Sequence, residues 1–131
     1  MRPRVTDNKV IYVRFRKDLD ALITEAAEAA KIAKATFVGR AMTEYMQKLT
    51  TACSGRFDAV TKDQLSLSSL SSSFFVKKGR ADERSLGKPM RVTLKRFDES
   101  NMRLVAQYSG YSITQFRTAI IVSHLQQNNG I

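Results

Sequence analysis

Two nine-residue stretches stand out for what their side chains can do. Residues 9–17 read Lys-Val-Ile-Tyr-Val-Arg-Phe-Arg-Lys, and residues 88–96 read Lys-Pro-Met-Arg-Val-Thr-Leu-Lys-Arg. Together they hold 8 of the 22 Lys and Arg residues and none of the 12 acids, so their positive charge is unopposed locally. Ile11, Val13 and Phe15 alternate with Tyr12, Arg14 and Arg16, and Met90, Val92 and Leu94 alternate with Arg91 and Thr93. That period of two puts an apolar and a polar face on each stretch. Arg can donate two parallel hydrogen bonds to a guanine edge and Thr can meet a thymine methyl, while a two-stranded ribbon fits the DNA major groove. Solvated strand faces ordinarily mix both charge signs; the acid-free pattern points to a polyanionic partner.

The sequence offers little for covalent chemistry. His124 is the single histidine and Cys53 the single cysteine, so a metal cluster, an intrachain disulfide and a nucleophile with a histidine base all lack their parts. Tyr108 and Tyr111 flank Gly110, but tyrosines at a helix junction are expected in the core. No glycine-rich phosphate loop is present. The expectation is a protein without catalytic residues, metal or cofactor.

A net charge of +10 agrees with an anionic partner, and 43% apolar residues over 131 positions suit a folded core. No apolar run approaches the roughly 20 residues of a membrane span, and the first residues lack the apolar stretch of a signal peptide, which predicts a cytoplasmic location.

The basic stretches need elements to hold them. Asp18 is a candidate cap for a helix carrying Leu19, Leu22, Ile23, Ala26, Ala27 and Ala30 at helical spacing. A break near 31–33 precedes a second stripe of Phe37, Val38, Ala41, Met42, Tyr45, Met46 and Leu49. Adding 79 to these numbers recovers the same pattern without a gap. Ile11, Val13 and Phe15 become Met90, Val92 and Leu94; Ile23, Ala26 and Ala27 become Met102, Val105 and Ala106. Phe37, Ala41, Met42 and Met46 become Phe116, Ile120, Ile121 and Leu125, with Gly110 and Ser112 as stop and cap signals between the helices. The copies diverge where Leu19 becomes Asp98, Val38 becomes Arg117 and Tyr45 becomes His124, which is expected to pack. Matching across three elements marks an internal repeat.

The predicted organisation is a first unit over 1–54, a Ser-rich linker over 55–87 and a second unit over 88–131. The linker holds Leu65, Leu67, Leu70, Phe74, Phe75 and Val76, enough apolar surface for a short ordered element, before the basic residues Lys77, Lys78 and Arg80. One short strand cannot satisfy its own hydrogen bonds, so the two strands are expected to pair antiparallel within the chain. The fold class is mainly α with short β.

These two strand-helix-helix patterns resemble the ribbon-helix-helix DNA-binding superfamily that includes the Arc, MetJ and CopG repressors, over roughly residues 9–50 and 88–126. The resemblance implies that Val10, Tyr12 and Arg14 face the major groove, with Pro89, Arg91 and Thr93 from the second copy. It implies that amides at 33–35 and 112–114 hold phosphates, bringing in Lys34, Ala35, Ile113 and Thr114, as helix N-termini favour anions. Lys9, Arg16, Lys88 and Lys95 are the expected flanking backbone contacts. The tandem arrangement is similar to that of the TraY-type conjugation accessory proteins. That implies binding and bending of double-stranded DNA at a plasmid transfer origin, regulation of transfer genes, relaxase or other relaxosome proteins as partners, and self-association along DNA. A repressor or autoregulator would use the same fold. A protein-interaction module would have no need of two acid-free strands, and Asp18, Asp20, Glu25 and Glu28 disfavour a membrane-surface helix.

Overall fold

A computed structural model of the protein describes residues 7–76 and 85–128. Strand β1 (Asn8–Val13) leads into helices α1 (Lys17–Ala30) and α2 (Lys34–Ala52). Strand β2 (Met90–Lys95) leads likewise into α4 (Arg96–Ser109) and α5 (Ile113–Gln127). Between these halves lie a 3-10 turn at Phe57–Ala59, the one-turn helix α3 (Lys62–Leu65) and a longer 3-10 stretch at Ser69–Phe74. The chain is mainly helical, and β1 and β2 form a two-stranded antiparallel sheet with each other. Among the described residues no helix is long and apolar enough to cross a membrane.

Alternation puts the apolar side of both strands inward. Ile11, Val13 and Phe15 from the first stretch, with Val92 and Leu94 from the second, are buried, and Met90 is partly so. They lie over Leu19, Ile23 and Ala27 of α1, Met102, Val105 and Ala106 of α4, and the apolar faces of α2 and α5 in one continuous core. The halves interlock: α2 packs chiefly on β2, the strand of the other half, and on α5.

The helix boundaries follow local chemistry, with one correction. Asp18 does not cap α1. The cap position is Arg16, and Asp18 sits in the first turn, where its carboxylate accepts the Leu19 amide at 2.8 Å and favours the positive end of the helix. Ser112 caps α5 as expected: its hydroxyl accepts the Gln115 amide at 3.1 Å, and the Gln115 side chain accepts the Ser112 amide. Gly110 ends α4 in the left-handed conformation, φ +79°. Its repeat equivalent Lys31 ends α1 the same way at φ 60°, although a Cβ disfavours that region.

The segment between the halves is more than a tether. Phe57 and Leu65 are buried and belong to the core, and the Leu65 carbonyl accepts the Tyr45 hydroxyl at 2.7 Å. The Ser69–Phe74 stretch lies on α5, where the Ser123 hydroxyl accepts the Ser68 amide at 2.8 Å. This packing explains why α5 is buried on every side from Phe116 to Ser123, whereas Arg40 and Glu44, the repeat equivalents of Ala119 and Ser123, stay exposed on α2. Residues Lys77, Lys78 and Arg80 lie outside the described residues. Tyr108 departs from expectation: it is exposed on α4, while Tyr111 packs edge-on to Phe75 and tilted against Phe116.

The strained cap gives a test. Lys31→Gly relieves the left-handed backbone and is expected to raise stability by about 0.5–1 kcal/mol, read as a higher urea midpoint with an unchanged slope. An unchanged or lower midpoint would contradict the cap geometry.

Candidate nucleic-acid interface

The strand register fixes what the sheet shows to solvent. Asn8 pairs with Lys95, Val10 with Thr93 and Tyr12 with Arg91, and directly opposed residues of an antiparallel pair share one face. Tyr12 therefore sits across from Arg91, the residue 79 positions later and its own repeat equivalent. The approximate two-fold relation between the halves passes through that pair.

All of the expected base-facing residues come together on this outer face. Val10, Tyr12, Arg14, Arg91 and Thr93 are exposed, Tyr12 to 67%, and Pro89 is exposed beside them. Arg14 is fixed at the end of the ribbon, where its Nε donates to the Gly87 carbonyl at 3.0 Å. Asn8 and Lys95 extend the same face at its other end. It carries Arg14, Arg91 and Lys95 and no acid.

The expected backbone contacts are placed differently from one another. Lys9 points to the core side of β1, at its edge, and its Nζ donates to Glu99 Oε1 at 2.7 Å. Arg103 Nε also lies 2.9 Å from both Glu99 oxygens. Burial of Glu99 opposes its charge, but the hydrogen bonds from Lys9 and Arg103 outweigh it and hold the carboxyl below its ordinary value. Lys34 Nζ is 2.8 Å from Asp20 Oδ1. Asp20 and Glu99 are repeat equivalents, so each half uses the acid at the same place in its first helix to hold a lysine. Arg16 reaches Asp18 at 3.3 Å, and Lys88 is exposed. Asp98, in the place of Leu19, shows the opposite effect: burial raises its carboxyl above the ordinary value, and nearby Lys95 only partly offsets that.

A hollow flanks the ribbon on each side. One, of about 420 Å³, lies between Arg91 and Thr93 on β2 and Ala35, Thr36, Gly39 and Arg40 on α2. The other, of about 260 Å³, lies between Tyr12 and Arg14 and the residues Thr114 and Arg117 of α5. Tyr12, Arg14 and Thr114 are the repeat equivalents of Arg91, Thr93 and Ala35, so the hollows are counterparts, while Arg117 reaches its hollow from the position that the fully buried Val38 holds in the other half. Ala35 and Thr114, expected near phosphate, each line one of them; Ile113 is half-buried against the core. Arg40 was missed by pattern reasoning, although its position one turn beyond Thr36, outside the apolar stripe, marks it as exposed. His124 packs as expected, edge-on to Phe37 with centroids 5.3 Å apart. Cys53 is buried at the end of α2. Among the described residues no three metal-ligating side chains converge.

No protein-family model, curated protein or solved structure matches the chain. The geometry of the ribbon and its flanks therefore carries the functional argument.

The charge cluster under the ribbon has a pH signature. Because Glu99 titrates lower in the folded than in the unfolded chain, its stabilisation is present above the unfolded value of roughly 4.3 and is lost as pH falls through the lower folded value. Glu99→Gln should cost about 1–3 kcal/mol at pH 7 and progressively less below pH 4, as measured by denaturant titration across pH. An equal cost at every pH would contradict the ionic role.

Proposed function

We propose that the protein binds double-stranded DNA sequence-specifically as a tandem ribbon-helix-helix protein, laying the β1–β2 ribbon in the major groove. The observation that carries this reading is the outer face itself, where Tyr12, Arg14, Arg91 and Thr93 cluster around the two-fold relation between the strands with no acid among them. A ribbon of two strands matches the groove in width, and the apolar side beneath it is fully engaged with the helices, which holds the reading side chains on a rigid support. Arg14 and Arg91 suit guanine edges and Thr93 suits a thymine methyl. Val10 and Pro89, at equivalent outer positions, offer only apolar contact, so discrimination concentrates on the central pairs.

The hollows beside the ribbon lie where the two phosphate backbones bordering the groove would run. Arg40 supplies charge at one of them, with the exposed Lys88 at the ribbon's end and Lys34 held by Asp20, and the first turns of α2 and α5 add their partial positive ends. Carrying two units on one chain favours, among the uses of this fold, a TraY-like accessory role in which the protein binds and bends DNA at a plasmid transfer origin and recruits relaxosome proteins. Unlike subunits let one chain read two different half-sites, which suits an asymmetric site better than a palindromic operator.

The test is a gel-shift titration against the DNA flanking the protein's own gene, with excess competitor, at two salt concentrations. A saturable, competitor-resistant shift at the higher salt is expected. Binding that salt erases and that ignores sequence would contradict a specific reader. Arg14→Ala and Arg91→Ala should each weaken specific binding by about 1–3 kcal/mol. Arg40→Ala should weaken all sequences about equally and lower the salt dependence by about one phosphate contact.

A further inference from the structure

Two divergences between the repeats place a charge inside the protein, Asp98 for Leu19 and Arg117 for Val38, and Arg117 is the cation of the two. Its equivalent, Val38, is fully buried in the core, and Arg117 is itself only 8% exposed. Its Nε and Nη2 are shielded from solvent and have no hydrogen-bond partner among the described residues. A guanidinium in that state is costly unless an anion meets it. Burial disfavours its charge and Arg103 repels it, and the Glu99 carboxylate attracts it without bonding to it, being already shared by Lys9 and Arg103. The side chain borders the hollow of about 260 Å³ that also presents Tyr12, Arg14 and Thr114 and is walled by Val13, Phe15, Val76 and Leu86.

We infer that this hollow is a phosphate-class oxyanion site, gripped by Arg117 from within and by Arg14 at its mouth, with the Tyr12 and Thr114 hydroxyls as further donors. A tetrahedral oxyanion with several acceptor oxygens meets two guanidinium groups in the way they bind best, through paired charge-assisted hydrogen bonds. The low-dielectric walls strengthen the attraction. Thr114 lies in the first turn of α5, whose partial positive end adds to it. The site exists in one half only. Its counterpart has Ala35 and Thr93 where this one has Thr114 and Arg14, and the buried Val38 gives it nothing in place of Arg117, so the molecule holds an anion strongly on one flank of the ribbon and weakly on the other. The inference deepens the DNA-binding reading, in which this hollow borders a phosphate backbone, and its response to free phosphate is read separately from DNA binding.

The experiment follows thermal unfolding of the full chain during titration with inorganic phosphate, with sodium chloride at matched ionic strength as the control. The wild-type protein should show a saturable rise of several degrees in Tm beyond that given by chloride. Arg117→Met should abolish the rise without lowering Tm in phosphate-free buffer, because the equivalent position already accepts an apolar side chain. Arg14→Ala, at an exposed position, should weaken the apparent phosphate affinity several-fold while leaving the fold intact. No phosphate-specific rise in the wild-type protein, or an undiminished rise in Arg117→Met, would overturn the site. The source of the phosphate is read separately. If a DNA backbone phosphate occupies the hollow, Arg117→Met lowers the slope of log affinity against log salt by about one. An unchanged slope alongside a lost phosphate response assigns the site to free phosphate. Loss of all DNA binding with a persisting phosphate response would remove the ribbon proposal and leave this site standing.

Discussion

A six-residue strand with bare edges cannot exist alone in water, and in this protein the only partner β1 has among the described residues is β2, some 80 positions further along the chain. Everything else depends on that pairing. It brings the halves into one core, it lets α2 pack on the opposite half's strand, and it sets which side chains point out. A shift of one residue in register would set Tyr12 opposite Val92, so that one strand would turn its apolar side chains to solvent and its polar ones inward while the other kept its place. The core and the outer face are thus two consequences of a single register.

Charge is sorted around the same sheet. Acids are kept off the strands and placed on the first helices, where Asp20 and Glu99 hold Lys34 and Lys9 at the flanks. Positive potential on the outer face is left uncancelled, while cations beside it are oriented without being neutralised from above. The halves then differ in ways that matter. The segment from Phe57 to Phe74 packs in turn on α4, α2 and α5, with its Ser69–Phe74 stretch covering α5, and a valine in one half is an arginine in the other.

Much of the fold was legible because its signals are periodic and repeated. Alternation at 11, 13 and 15 and at 90, 92 and 94 marked the strands and their outer residues, and the offset of 79 marked the halves as equivalent, whereas the register that sets Tyr12 opposite Arg91 is fixed by the fold. Gly110 and Ser112 carried their turn and cap chemistry in their own side chains, or the lack of one. What escaped was set by tertiary contact. Asp18 has the right chemistry for a cap but lies two residues too late, because the strand ends early and Arg16 bridges to Leu86. Leu65, Leu70 and Phe74 announced docking, but nothing in their spacing named α2 as the surface for the Lys62–Leu65 turn and α5 as the surface for Ser69–Phe74. Tyr108 looked like core by its residue type and is exposed because α4 buries the adjacent face through Met102, Val105 and Ala106. Arg117 was visible as a mismatch between repeats, yet its isolation depends on Glu99 being occupied by Lys9 and Arg103, a contact between residues 90 positions apart in sequence.

The central claim is that the outer face of the ribbon reads base edges from the major groove. The most direct measurement is methylation interference on a duplex selected by the protein from a random library, since methyl groups at guanine N7 project into the major groove and those at adenine N3 into the minor groove. The account predicts that N7 methylation at a few clustered guanines blocks binding and that N3 methylation in the same stretch does not. Interference confined to the minor groove, or failure to enrich any duplex over the starting library, would contradict it.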